Sequence, residues 1–97
     1  MNRKKVIAGN WKMNKTPSET SAFIAQLSDK VKQTNDIVIC AVPSVCIPAA
    51  LKTAKRSRIK IAAQNMHYED NGAYTGEISA NMLVDLGVKY VIIGHSE

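Results

Sequence analysis

Asn10 and Lys12 stand just after the apolar run Val6-Ile7-Ala8, and His95 and Glu97 stand just after the run from Val88 to Ile93. Lys12 is a fixed cation suited to an anionic substrate or a developing oxyanion; standing alone it also reads as a surface lysine. His95 has the chemistry of a general acid or electrophile, or of a satisfied structural histidine. Glu97 can pair with Lys12 or orient a site, or simply begin a helix. Asn10 can donate a hydrogen bond or make a turn. Two further polar pairs, Pro43-Ser44 and Gln64-Asn65, follow two more apolar runs. Segments tens of residues apart thus carry polar groups in the same position relative to a strand. In a parallel sheet those positions share the rim at the carboxyl ends, where α/β folds place ligands.

The elements that must position these groups are legible. The runs Val6-Ile7-Ala8, Ile37 to Val42, Ile59 to Ala63 and Val88 to Ile93 are mostly continuous and β-branched, which predicts strands buried on both faces. Helical patterns separate them. Thr16-Pro17-Ser18-Glu19 reads as a capping box with proline at the first helical position. Phe23, Ile24, Leu27 and Val31 then form an apolar stripe. Pro48 is expected to open a second helix with Leu51 and Ala54 inward. Ser79 should cap a third, with Met82, Leu83 and Leu86 inward and Gly87 as its stop. The order βαβαβαβ predicts right-handed crossovers between parallel strands. Gln64 to Ile78 is a polar stretch longer than an ordinary βα loop, and reads as a projecting arm. His67 within it is expected to be exposed, and Asn71-Gly72 is a candidate for deamidation.

Bulk properties exclude several classes. Hydrophobic content of 45% and charged content of 22% suit a globular domain. The net charge of +5 raises a nucleic-acid reading, but the basic residues are scattered with little aromatic interleaving, and no recognition motif is present. The middle basic cluster falls at an expected helix C-terminus, where cations offset the dipole. Cys40 and Cys46 have no His or Cys partner at zinc spacing, so buried free thiols are expected and no metal site. No run approaches a membrane span, and there is no secretory h-region. These features point to a reducing, cytoplasmic setting, with neither nucleic acid nor membrane as partner.

Three segments carry a resemblance. Gly9-Asn10-Trp11-Lys12-Met13-Asn14 resembles the first loop of the triosephosphate isomerase family. Ala63-Gln64-Asn65 and Gly72-Ala73-Tyr74-Thr75-Gly76-Glu77-Ile78-Ser79 resemble its third loop, and Gly94-His95-Ser96-Glu97 its histidine motif. The likeness runs in order through the whole chain. It implies the N-terminal half of a (β/α)8 TIM barrel, with residues 1–97 forming one partial domain of four strands and three helices. It also implies cofactor-free interconversion of dihydroxyacetone phosphate and glyceraldehyde 3-phosphate through an enediolate. That family is itself a standard case of pKa tuning, in which a neutral histidine held at a helix N-terminus polarises the carbonyl. By motif match His95 takes this role, Lys12 stabilises the anionic substrate and intermediate, Asn10 helps place the substrate and Glu97 supports Lys12. The family is dimeric through its third loop, which makes Thr75, Gly76 and Glu77 interface residues. Cys46 replaces a bulkier, often aromatic residue, a matter of packing. The glutamate base, lid and phosphate loops of a second half are missing, so the chain alone is expected to be inactive. It would work with a C-terminal half; the competing reading is a non-catalytic barrel fragment that binds copies of itself.

Overall fold

The computed structural model describes residues 5–93. Its strands β1 (Val6–Asn10), β2 (Ile37–Val42), β3 (Ile59–Ala63) and β4 (Tyr90–Val91) form one sheet in sequential order, every neighbour parallel. Between them run helices α1 (Pro17–Val31), α2 (Ile47–Ala54) and α3 (Ala80–Leu86), with a 3₁₀ turn at Ser44–Cys46 leading into α2. The alternating order curls the sheet into half a barrel.

Alternation along the strands sorts the core. Val38, Cys40 and Val42 of β2, with Ile59, Ile61 and Ala63 of β3, pack against Ile24 of α1, Ile47, Ala50 and Ala54 of α2, and Leu83 of α3. Ile24 and Val42 are fully buried. Each such aliphatic side chain stabilises the fold by about 1.5–3 kcal/mol. Both cysteines are buried free thiols in this cluster, as their sequence setting suggested.

The capping box at α1 forms as expected. Thr16 Oγ1 accepts the Glu19 N–H at 3.2 Å, and Glu19 Oε1 accepts the Thr16 N–H at 2.9 Å. Ser79 Oγ accepts the Met82 N–H at 3.3 Å, and Gly87 ends α3 in the left-handed region at φ 94°.

Several expectations need correction. β1 is exposed at all five residues rather than buried on both faces, because only β2 flanks it and no helix of the described residues covers it. Helix α2 opens at Ile47, one residue before Pro48. Met82 and Leu86 are exposed, since the short α3 turns only Leu83 fully into the core. β4 begins at Tyr90, not Val88, because the Val88 N–H is still engaged in closing α3, donating to Leu83 O at 3.0 Å. His67 is not exposed. Its side chain is 18% accessible and packs between Tyr68 and Tyr74, with ring centroids 4.5 and 4.1 Å away. The arm closes at its base through the His67 N–H, which donates to Ile78 O at 2.7 Å, and this pinch carries His67 inward.

Candidate active-site rim

β1, β2 and β3 end side by side, so the segments that follow them meet at one rim. The Trp11 N–H extends the ladder by donating to Ala41 O at 3.0 Å. The Trp11 ring then packs edge-on against Phe23, with centroids 5.3 Å apart, and anchors the segment to α1. Lys15 Nζ lies 4.7 Å from the Phe23 ring centroid.

Between those anchors the backbone is strained. Lys12 has φ 56°, in the left-handed region, which costs a residue with a Cβ about 1–2 kcal/mol. Local bonds hold it there. The Lys12 N–H donates to Asn10 Oδ1 at 2.9 Å, and Asn14 Nδ2 donates to Trp11 O at 2.7 Å. A further restraint comes from the residue just after β3. Gln64 Nε2 donates to Lys12 O at 2.9 Å and to Ala41 O at 3.0 Å, and lies 3.4 Å from Asn10 Oδ1. One amide nitrogen has two hydrogens, so the two short bonds take them and the Asn10 contact is secondary. Gln64 thereby ties the first loop to the ends of β2 and β3. Asn10 Oδ1 is thus engaged with the Lys12 N–H.

A cavity of about 250 Å³ opens beside this latch, lined by Lys12, Ser44, Gln64, Asn65 and Gly76 among others. Lys12 is the one charged group among the described residues lining it. A single exposed cation, set among neutral donors with no carboxylate, suits an anion. Asn65 Nδ2 donates to Glu77 Oε1 at 2.8 Å, and His67 Nδ1 lies 4.0 Å from the same oxygen. Glu77 is therefore tied within its own chain, whereas Thr75 is exposed.

Of the residues singled out from sequence, Asn10 and Lys12 do converge with Ser44, Gln64 and Asn65. His95 and Glu97 lie outside the described residues. The role of Gln64 was not legible. Its signal was a long amide directly after the apolar run of β3, but which carbonyls it would reach depended on the register of three strands.

A family model for triosephosphate isomerase matches residues 5–97. The chain belongs to the triosephosphate isomerase family. Among relatives in that family, the triosephosphate isomerase of Acetivibrio thermocellus is 56% identical over 97 residues, covering 100% of this chain and 39% of the relative. That of Alkaliphilus metalliredigens is 55% identical over 95 residues, covering 98% of this chain and 38% of the relative. The crystal structure of triosephosphate isomerase from Bartonella henselae superposes with a TM-score of 0.86 at 36% identity, over 97% of this chain and 39% of that one. The fold is thus that of a TIM barrel, of which this chain spans about 39% of the family members' length.

Proposed function

We propose that this chain supplies the first half of a triosephosphate isomerase active site. In that site Lys12 and Asn10 bind the phosphorylated triose, and Lys12 stabilises the enediolate as its negative charge develops. The observation that carries the reading is the exposed Lys12, held in a strained conformation by Gln64 at the carboxyl rim as the one charged group that the described residues place in the lining of a cavity of about 250 Å³. Its attraction grows as charge builds on the reacting oxygen, which is how a fixed cation accelerates a step rather than merely tightening binding. His95 polarises the carbonyl and Glu97 supports Lys12, both on the strength of the motif match. No cofactor takes part.

The proton itself needs a carboxylate base, and positioned acid–base catalysis is worth about 10²–10⁴-fold. No residue of this chain is assigned that role, so the 97 residues alone are inactive and the remaining barrel must supply it. The arm carrying Thr75, Gly76 and Glu77 meets a second subunit, as in a homodimer, and the assembled enzyme works in the cytoplasm in glycolysis and gluconeogenesis.

The test is an isomerase assay of the chain alone and after mixing with the complementary C-terminal segment of the Acetivibrio thermocellus enzyme. Turnover only in the mixture supports the reading; turnover by the chain alone refutes it. One observation favours a second reading, a self-associating fragment: β1 is an open edge with Val6 62% and Ile7 52% accessible. Under that reading sedimentation finds multimers of this chain that a C-terminal segment does not dissolve.

A further inference from the structure

The arm over residues 64–78 has a shape of its own. Residues 68–77 are all exposed, so the core of the barrel does not hold them. Their order comes from contacts within the arm. Its base is pinched by the His67 N–H, which donates to Ile78 O at 2.7 Å. Its tip is a hydrogen-bonded turn in which the Glu77 N–H donates to Tyr74 O at 2.9 Å. Gly76, in the third position of that turn, has φ 90°, the positive value that one class of such turns requires there.

His67 joins the base to the tip. Its side chain is 18% accessible, and its ring is stacked at a tilt on Tyr68 and on Tyr74, with centroids 4.5 and 4.1 Å away. Tyr74 in turn lies against Gly72, where an added Cβ would stand 2.7 Å from Tyr74 Cε2. The His67 ring supplies packing rather than a polar bond. Its Nε2 is buried with no partner among the described residues, and its Nδ1 lies 4.0 Å from Glu77 Oε1, beyond hydrogen-bond reach. Glu77 Oε1 accepts instead from Asn65 Nδ2 at 2.8 Å, which ties the tip back to the base. Surface loops packed by their own side chains in this way frequently carry function.

We propose that His67 sets the arm in its docking shape before any partner arrives, so that a second copy of the chain meets a preformed surface. This role rests on the homodimer reading above and adds to it the residue that shapes the arm. Ordering a loop at the moment of binding lowers affinity, and a loop ordered in advance avoids that loss. Thr75 and Gly76, at the centre of the turn, are then presented in one geometry rather than many. Each aromatic contact of His67 is worth about 2- to 12-fold in an equilibrium.

The test has two parts. Amide exchange of the ¹⁵N-labelled full chain, at a dilution where it sediments as a monomer, follows the His67 and Glu77 amides, the donors of the pinch and the turn. Both should exchange at least about 10-fold more slowly than in an unfolded chain, and His67→Ala should remove that protection. Sedimentation of the chain assembled with the complementary C-terminal segment then gives the dimer dissociation constant. His67→Ala and Gly72→Ala should each raise it about 10-fold, with the urea transition followed by Trp11 still cooperative. His67→Phe keeps the stacking and removes the unpartnered nitrogen, and should stay within about 3-fold of the original chain. Unprotected arm amides in the free chain beside normal dimerisation overturn the proposal alone, because the partner then shapes the arm. Unchanged dissociation constants in both alanine variants, or a loss in His67→Phe as large as in His67→Ala, also overturn it. A protected arm on an assembly that stays monomeric overturns the homodimer reading and the docking role together.

Discussion

Replacing Gln64 by Met keeps the length of the side chain and deletes its amide. Two bonds vanish, to Lys12 O at 2.9 Å and to Ala41 O at 3.0 Å. At a net 0.5–1.5 kcal/mol each, the loss is about 1–3 kcal/mol. Ala41 O keeps the Trp11 N–H, and Lys12 O lies where water reaches it, so the lower half of that range is expected. The same bonds offset the ~1–2 kcal/mol that Lys12 incurs at φ 56°. A glycine at position 12 incurs little such cost. Once Gln64 is lost, Lys12 can relax out of the left-handed region and recover its strain, whereas a glycine has none to recover, so Gln64→Met should destabilise more in a Lys12→Gly background than in the original chain. We expect a coupling of about 0.5–1 kcal/mol, within the range seen for residues that share a network. The assay is urea unfolding followed by Trp11, the only tryptophan and a neighbour of the latch. Equal urea midpoints for the original chain and Gln64→Met would show that the Gln64 bonds do not stabilise the rim. Additive effects in the double variant would show that they do not hold Lys12 in the left-handed region.

Further outcomes follow from the same geometry. Thr16→Ala removes the α1 cap and should cost about 0.5–2 kcal/mol by the same urea assay. Burial raises the Cys40 thiol above its ordinary value of 9.0. The unfolded chain therefore ionises first: the contribution to stability is full below about pH 9 and falls as pH climbs toward the raised value. A pH series of unfolding midpoints checks this, and Cys40→Ala should flatten the alkaline decline. Asn71 is exposed and precedes Gly72, whose lack of a side chain leaves its N–H open to succinimide formation. Peptide mapping after mildly alkaline incubation should find aspartate or isoaspartate at position 71.

What was legible in the sequence was local. The capping box at Thr16, the Gly87 stop and the four strands each depend on a few neighbouring residues, and all are present. The errors concern surroundings. Continuous apolar runs suggested two covered faces for β1, but cover depends on neighbours that the described residues do not include. The Met82 and Leu86 pattern suited a helix, yet a helix of seven residues has too little surface to bury both. His67 looked exposed in a polar stretch, because the stacking with Tyr68 and Tyr74 requires the arm to fold back on itself. At the rim, the placement of Asn10 and Lys12 after one strand and Gln64 after another was readable. The left-handed backbone at Lys12 was not: it depends on an acceptor at the end of β1 and a donor just after β3.

We propose Lys12, held by Gln64, as the charged group of a triosephosphate isomerase site completed by the rest of the barrel. The most direct test measures isomerase turnover in the assembly of this chain with the complementary C-terminal segment, using the original chain and Lys12→Ala. Turnover is expected with the original chain and a loss of at least about 100-fold with Lys12→Ala, as for removal of one charge-stabilising group, with the assembly still formed by sedimentation. Undiminished turnover with Lys12→Ala, or a well-formed assembly that is inert with the original chain, would contradict it.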